Sequence, residues 1–341
     1  MKMLIIGGAG FIGINSADYF LNKGHDIVIL DNFSRAGTES NVSWLKETHP
    51  DKKIKIVKAD IRYDQDKMDT EAADADVIIH LAAQVAVTTS VKNPKEDFEI
   101  NALGTLNVLE AARKSKSKPI VLYSSTNKVY GGMENVEVVE RNGRYEYKDF
   151  RSGVPETQQL DFHSPYGCSK GTGDQYVRDY ARIYGLRTVV FRQSCIYGKR
   201  QFGVEDQGWL AWFTIASLLK KPLSIYGDGK QIRDVLYVGD LIEAYEIAIK
   251  NIDRCSGKVY NMGGGPKNTM SLLELVSMLD THLDEKVKHG WGDWRPGDQK
   301  VFVADTTLFE KETGWKAKTS PEKGVKIMID WIKKNKELFK K

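Results

Sequence analysis

The sequence predicts an α/β protein in which a doubly wound parallel sheet is joined to a smaller C-terminal α/β domain. Three observations carry this. A short apolar run, Met3-Leu4-Ile5-Ile6, leads straight into Gly7-Gly8-Ala9-Gly10-Phe11-Ile12-Gly13, a glycine spacing suited to a strand-to-helix turn. Strand-like runs and helical stretches then alternate as far as Arg192, the order that builds a parallel sheet with helices on both faces. Beyond Arg192 the alternation gives way to turn-rich segments with bulky aromatics. The expected division is residues 1–190 as the sheet domain, with the helix of Tyr166, and residues 191–341 as mainly the smaller domain, where the chain can cross back to the sheet.

Glycines at the first turn let a backbone approach a pyrophosphate at a helix N-terminus, which makes Gly7, Gly10, Phe11, Ile12 and Gly13 candidate dinucleotide contacts. The helix should run to about Asn22 and stop at Gly24. The second strand, Asp26 to Leu30, ends in Asp31, 18 residues beyond Gly13. A carboxylate there accepts hydrogen bonds from both ribose hydroxyls and repels a 2′-phosphate, which favours NAD over NADP. Arg35 argues the other way, because a guanidinium accommodates that phosphate. Asn32 and Ser34 lie between them.

Ile54 to Val57 reads as the third strand, and Asp60-Ile61 follow it towards the adenine end. The fourth, Asp76 to His80, runs into Leu81-Ala82-Ala83-Gln84, small residues that admit a cofactor. His80 reads as a packed strand-end histidine. A helix from about Pro94 to Ser115 carries Asn101, a residue usually solvated in mid-helix. The fifth strand, Ile120 to Tyr123, ends in Ser124-Ser125-Thr126-Asn127-Lys128, at a strand end where doubly wound sheets bind ligands. Met133 to Phe162 has no clean period and reads as a long surface excursion. The Tyr166 helix should end near Tyr184, before Gly185, and Arg187 to Arg192 is a sixth strand.

Further on, Gln207 to Leu219 suggests a helix. Gly227-Asp228-Gly229-Lys230 reads as the turn of a hairpin leading into Arg233 to Tyr237. Ser271 and Glu274 form a capping box. Trp294 to Asp298 is a loop, and Thr307 to Thr313 and Pro321 to Phe339 are helices. Arg233 and Arg295 suit bidentate phosphate binding, although a surface ion pair explains either alone.

Tyr166-Gly167-Cys168-Ser169-Lys170 is the stretch with the clearest chemistry. Residues four apart share a helix face. A unit charge about 4 Å from a phenol, at an effective dielectric near 20, is worth roughly 4 kcal/mol. That would bring the phenol from about 10 towards 7 or 8, where it can act as a base on a sugar hydroxyl. An ordinary helix with a buried Tyr and a solvated Lys gives the same pattern.

Composition narrows the field. With 341 residues, 41% hydrophobic and 28% charged residues and a net charge of +4, the chain is an ordinary globular one, too mildly basic for nucleic acid. Lys333, Lys334, Lys336, Lys340 and Lys341 read as a solvated helix face and tail. Three scattered cysteines and six histidines without ligand spacing give no disulfide framework and no metal site. A strand starting almost at Met1 leaves no signal peptide, and the longest apolar run, Trp209 to Leu219, is too short to span a bilayer. A cytoplasmic enzyme without membrane partners is expected.

On Gly7 to Gly13, Asp31, Thr126, Tyr166 and Lys170, the chain resembles the extended short-chain dehydrogenase/reductases over nearly its whole length, and among them the nucleotide-sugar epimerases. The resemblance implies a Rossmann-type sheet and bound NAD. It implies a triad of Tyr166 as base, Lys170 tuning it and holding nicotinamide ribose hydroxyls, and Thr126 steadying the substrate oxygen. Asn101 matches the family's helix Asn, Ser124 its strand-end serine beside the cofactor, and Arg233 and Arg295 its phosphate-binding arginines. Asn127 and Gln207 fall among its substrate contacts. Cys195 departs from the pattern, standing where many members place a substrate-binding Asn.

Four stretches, residues 31–35, 126–131, 161–166 and 200–209, resemble the CDP-paratose 2-epimerase (CDP-tyvelose epimerase) family, which implies C2 as the reacting carbon. A UDP-sugar 4-epimerase uses the same triad and remains the alternative. A sugar 4,6-dehydratase needs a carboxylate pair where Asn127 and Lys128 stand, and a non-catalytic NAD-binding regulator has no use for the triad. Family members pair through helices such as Pro94–Ser115 and Tyr166–Tyr184, so a homodimer or homotetramer is expected.

Overall fold

A computed structural model describes residues 1–295 and 298–339. The loop expected at Pro296-Gly297 and the tail residues Lys340 and Lys341 lie outside the described residues. Seven strands form one sheet: Lys2–Ile6 (β1), Asp26–Asp31 (β2), Ile54–Lys58 (β3), Val77–His80 (β4), Ile120–Thr126 (β5), Thr188–Gln193 (β6) and Lys258–Met262 (β7). Their order is β7-β6-β5-β4-β1-β2-β3. β1 pairs parallel with β2 and β4, and the pairings continue parallel to β3 and β5. Strand order reverses at β1, the switch point where such sheets receive ligands.

The strands at the centre are unbroken apolar runs because helices cover both faces. Met3, Leu4, Ile5, Val77, Ile78 and Ile79 are fully buried. Each buried aliphatic side chain contributes about 1.5–3 kcal/mol. Phe11–Asn22 buries Ile14, Ala17, Phe20 and Leu21 against this sheet domain's core. Thr38–Thr48 connects β2 to β3 and Gln65–Ala72 connects β3 to β4, the crossovers that strands of a parallel sheet require.

The chain forms two compact units. The first comprises Met1–Val129, Ser164–Arg192 and Ile242–Tyr260; the second comprises Tyr130–His163, Gln193–Leu241 and Asn261–Lys341. The helix of Tyr166 thus falls in the first unit and the excursion before it in the second.

In the second unit, strand Ile232–Tyr237 pairs with Thr269–Ser271, Val301–Phe302 and Cys195–Tyr197. Helix Trp209–Leu218 and the C-terminal helix Pro321–Lys334 bury Leu210, Phe213, Ile329 and Ile332 in its core. The capping box of Ser271 and Glu274 forms as read. Two local readings change. The excursion holds a hairpin, Val138–Arg141 with Arg144–Tyr147, turned on Asn142 and Gly143 at φ 53° and 75°, the Asn-Gly signature of a type I′ turn. The segment Gly227 to Lys230 is no hairpin turn, because Ser224–Tyr226 pairs with Gly290–Gly292 instead of with Ile232–Tyr237. Side chains hold that turn: Asp228 accepts from the Lys230 N–H at 3.0 Å and Gln231 donates to the Tyr226 carbonyl at 2.7 Å. The last helix stops at Lys334, and Lys336–Phe339 follows as a 3₁₀ turn.

Candidate active site

The site is built from the C-terminal ends of β1, β2, β4 and β5. After Ile6 the chain turns on Gly7 at φ +79°, where a Cβ would lie 2.5 Å from the Ala82 nitrogen. Leu81 and Ala82 lie that close because both their N–H groups bond the Ile6 carbonyl, at 2.8 and 2.9 Å. At Gly13 a Cβ would meet the Gly7 oxygen at 2.5 Å, so the helix starts hard against the turn. Gly10 caps that helix with no side-chain hydrogen bond. The first N–H groups of the helix, at Phe11 and Ile12, thus face outward from its N-terminus, an arrangement that receives an anion.

Asp31 ends β2 with one oxygen accepting from the Ala9 N–H at 3.0 Å and the other from the Phe33 N–H at 2.8 Å. Burial raises its pKa, opposed by these backbone bonds and by the charge of Arg35. Arg35 in turn feels both Asp31 and Tyr166. The Ser34 N–H donates to the Asn32 side chain at 3.0 Å, and Asn32 donates to Asp60 at 3.0 Å. Asp60 is held at about 2, chiefly by hydrogen bonds from Arg62, a residue not singled out in the sequence. Asn32, Lys58, Ala59, Asp60, Asp64 and Lys67 line an open pocket of about 380 Å³, and Ile61 is buried beside Asp60.

Asn101 is buried rather than solvated. It lies in a single π-helical stretch, Glu99–Leu103, a local widening often found at functional sites. Its amide brackets Gln84, accepting from the Gln84 N–H at 2.9 Å and donating to the Gln84 carbonyl at 3.0 Å. That pins the Leu81-Ala82-Ala83-Gln84 segment. Asn101 also donates to Ser169 and Asp97, both at 3.1 Å. His80 is buried, contacts the Thr105 hydroxyl at 3.0 Å, and is held at about 3 by burial. It is a packed histidine, as expected.

Tyr166, Ser169 and Lys170 are buried on one face of Ser164–Tyr184. Thr126, the last residue of β5, is the group that does most to lower the pKa of the Tyr166 phenol against burial. The Lys170 ammonium donates to the Ser124 carbonyl at 2.6 Å and lies 4.3 Å from the centre of the Tyr123 ring. The triad residues are therefore together, but the simple charge argument is corrected. Burial pushes the phenol up to about 12; the Thr126 hydroxyl and the Arg35 charge pull it down, and Asp97 pushes it up further. Burial also holds Lys170 down at about 7, against Asp174 and Asp97. The sequence estimate counted attraction and omitted desolvation, which dominates in a site this enclosed.

Asn127 and Lys128 follow Thr126. Asn127 is buried, and the Lys128 N–H bonds the Thr126 hydroxyl at 3.2 Å. Neither position offers a carboxylate. Sequence reasoning missed Asp97, Tyr123 and the buried Asp174–Arg192 pair, whose two contacts are both 2.9 Å. For Asp97 the available signal was its position one turn before Asn101.

The remaining candidates belong to the second unit. Cys195 accepts from the Trp209 indole N–H at 3.4 Å. Gln207 exchanges backbone bonds with Val204 at 2.9 and 3.0 Å. Both arginines are in ion pairs within that unit: Arg233 with Asp298 at 2.6 Å, and Arg295 with Asp206 at 3.3 Å. Arg295 also lies 4.0 Å from the centre of the Tyr226 ring. Among the described residues no cluster fits a metal ion, and no helix is long and apolar enough to cross a membrane.

The family model described as GDP-mannose 4,6 dehydratase matches residues 4–328. The CDP-paratose 2-epimerase of Salmonella typhi is 46% identical over 338 residues, covering 97% of this chain and 99% of that protein. The structure of UDP-glucose 4-epimerase with UDP-glucose from Thermotoga maritima superposes with a TM-score of 0.84 at 29% identity, covering 98% of this chain and 99% of that one. The UDP-glucuronic acid 4-epimerase from Bacillus cereus, in complex with UDP-glucuronic acid and NAD, gives 0.83 at 27% identity, covering 98% and 100%.

Proposed function

The chain belongs to the GDP-mannose 4,6 dehydratase family, and from that premise we propose that it is an NAD-dependent epimerase of a CDP-linked hexose. It inverts C2, in the manner of CDP-paratose to CDP-tyvelose, through a transient 2-keto sugar. The observation that carries this reading is the buried Tyr166 phenol, its pKa lowered by Thr126, with Lys170 one helical turn away on the same buried face and no carboxylate at Asn127 or Lys128.

The chain's first turn suits NAD. The Gly7 turn and the uncapped helix start would hold the pyrophosphate, and Asp31 the adenosine ribose, with Asn32, Asp60 and Ile61 at the adenine end. When bound, NAD⁺ would supply a hydride acceptor and then, once reduced, a hydride donor. Tyr166 takes the proton from the C2 hydroxyl and later returns one. Thr126 holds the oxygen that loses and regains this proton. Thr126 and Arg35 oppose the effect of burial on the phenol, and Lys170 would hold the nicotinamide ribose hydroxyls. Arg233 and Arg295 would hold the diphosphate by exchanging their carboxylate partners for it, which supplies binding energy remote from the reacting carbon while the sugar turns over.

Specificity for C2 and for CDP is supported by the 46% identity to the Salmonella typhi enzyme. A UDP-sugar 4-epimerase would use the same residues, and relatives of that description are 29–32% identical. Elimination of the dehydratase kind would need an acid and a base at positions 127 and 128. Mass spectrometry of the purified protein for retained NAD, with NMR of the products from CDP- and UDP-sugars, tests the proposal. Inversion at C4 of a UDP-sugar, with CDP-sugars untouched, would replace it. A homodimer is part of this reading: Phe98, Tyr176 and Ile183 are 54%, 46% and 66% exposed on helices of the first unit, the helices through which such a pairing would form.

A further inference from the structure

Two buried carboxylates influence Lys170, and they are partnered differently. Asp174, one turn beyond Lys170 on the same helix, is fully enclosed and gripped by Arg192 through two contacts of 2.9 Å, with Ser125 donating at 2.7 Å. Its charge is neutralised at contact distance. Asp97 is 1% exposed. Its oxygens accept from Ser169 at 2.5 Å, the Gln84 side chain at 2.7 Å and the Asn101 side chain at 3.1 Å. These three donors are neutral, and Asp97 forms no ion pair among the described residues. A buried anion without a cationic counterpart is costly, so some positive charge nearby must offset it.

We infer that Asp97 is a positioning residue for Tyr166: its oxygens lock Asn101 and Ser169 in place, and from that seat its charge acts on both Lys170 and Tyr166. The three acceptor contacts tie together the pieces that must be aligned. Ser169 sits directly before Lys170 and one turn after Tyr166. Asn101 brackets the Gln84 backbone, so the same carboxylate fixes the helix of the base and the segment expected at the cofactor. This inference rests on the proposed epimerase reading for its kinetic consequence, and on geometry alone for its spectroscopic one.

The charged groups around these residues have other partners or act in known senses. Lys95 lies 3.8 Å from Glu99, Glu110 pairs with Arg113 at 2.7 Å, and Lys92 and Glu96 are exposed. His80 is held neutral by burial. Lys170 is raised by Asp174 and Asp97, while Tyr166 is raised by Asp97 and lowered by Thr126 and Arg35. Removing the negative charge at 97 therefore makes the ammonium easier to deprotonate and the phenol easier to ionise. Both limbs of a pH profile that needs Tyr166 phenolate and Lys170 ammonium move the same way.

The test is Asp97→Asn in the holoenzyme, with Asp97→Glu beside it. Both the acid and the alkaline limb of kcat should shift to lower pH by about one unit in Asp97→Asn, and return towards wild type in Asp97→Glu. The tyrosinate absorbance assigned by difference from Tyr166→Phe should shift down with them. A fall in kcat with both limbs and the absorbance unmoved would reduce Asp97 to a packing role and overturn the inference. Should wild type turn over no nucleotide sugar, the epimerase reading fails, while the absorbance still decides the role of Asp97. If Asp97→Asn is recovered unfolded, Asp97→Asn/Lys170→Met should fold, because the unbalanced cation is gone; failure of that double variant to fold would also overturn the inference.

Discussion

The Lys170 ammonium lies 4.3 Å from the centre of the Tyr123 ring while donating to the Ser124 carbonyl at 2.6 Å. A cation over an aromatic face in a desolvated setting gains about 2 kcal/mol. The strand that ends in Thr126 therefore supplies both a group that lowers the pKa of the phenol and the seat of the lysine. Gly173 makes this approach possible, since a Cβ there would lie 2.4 Å from the Tyr123 hydroxyl.

Replacing Tyr123 tests the seat. Tyr123→Phe keeps the ring and should change kcat less than about threefold, whereas Tyr123→Leu removes the face and should lower kcat by about tenfold or more, as the loss of about 2 kcal/mol predicts. Steady-state kinetics on the CDP-sugar, with bound NAD measured in parallel, checks both.

The glycine turn makes a second prediction. Gly7→Ala forces a side chain to adopt φ +79° with its Cβ 2.5 Å from the Ala82 backbone. The strain alone costs about 1–3 kcal/mol, and the displaced Leu81-Ala82 segment should loosen cofactor retention. Thermal unfolding and the NAD content of the purified variant should both fall. Retention equal to wild type would separate this turn from the cofactor.

Burial of Lys170 has a pH signature. Its folded pKa is lowered from 10.5 to about 7, so between those values the unfolded chain binds more protons than the folded one. Stability should therefore rise with pH through that window, and the contribution should be flat below it. In Lys170→Met the rise attributable to this group should vanish, as the difference between the two unfolding curves from pH 6 to 10 will report.

Much of this was legible before any coordinates. The glycine turn, Asp31 and the strand–helix alternation are local patterns with strong backbone causes, and they folded into β1, β2 and the sheet around them. Asn142-Gly143 carried an equally plain turn signal inside a stretch read as irregular, because charges on both sides hid the alternation. The turn at Gly227 to Lys230 looked like a hairpin because the partner of Ser224–Tyr226 is 66 residues downstream, at Gly290–Gly292. Asn101 stood out only through the family resemblance, because the π-helical stretch that carries it has no sequence period of its own. The phenol was misjudged for a different reason. Sequence spacing reports which charge is near, and only burial reports how much water is gone.

The exposed apolar side chains give a further prediction. Ile183→Asp places a charge on a face expected to meet a second copy. The wild-type protein should sediment as a dimer and the variant as a monomer with an unchanged circular dichroism spectrum. A monomeric wild type would remove the dimer from the account.

The central claim is that the sugar is oxidised and reduced at C2 without its carbon-bound hydrogen ever reaching water. Turnover of CDP-paratose in deuterated solvent, followed by proton NMR of the product, tests this directly. The account predicts CDP-tyvelose with protium retained at C2 and no net change in NAD. Deuterium at C2, or inversion at another carbon, would contradict it.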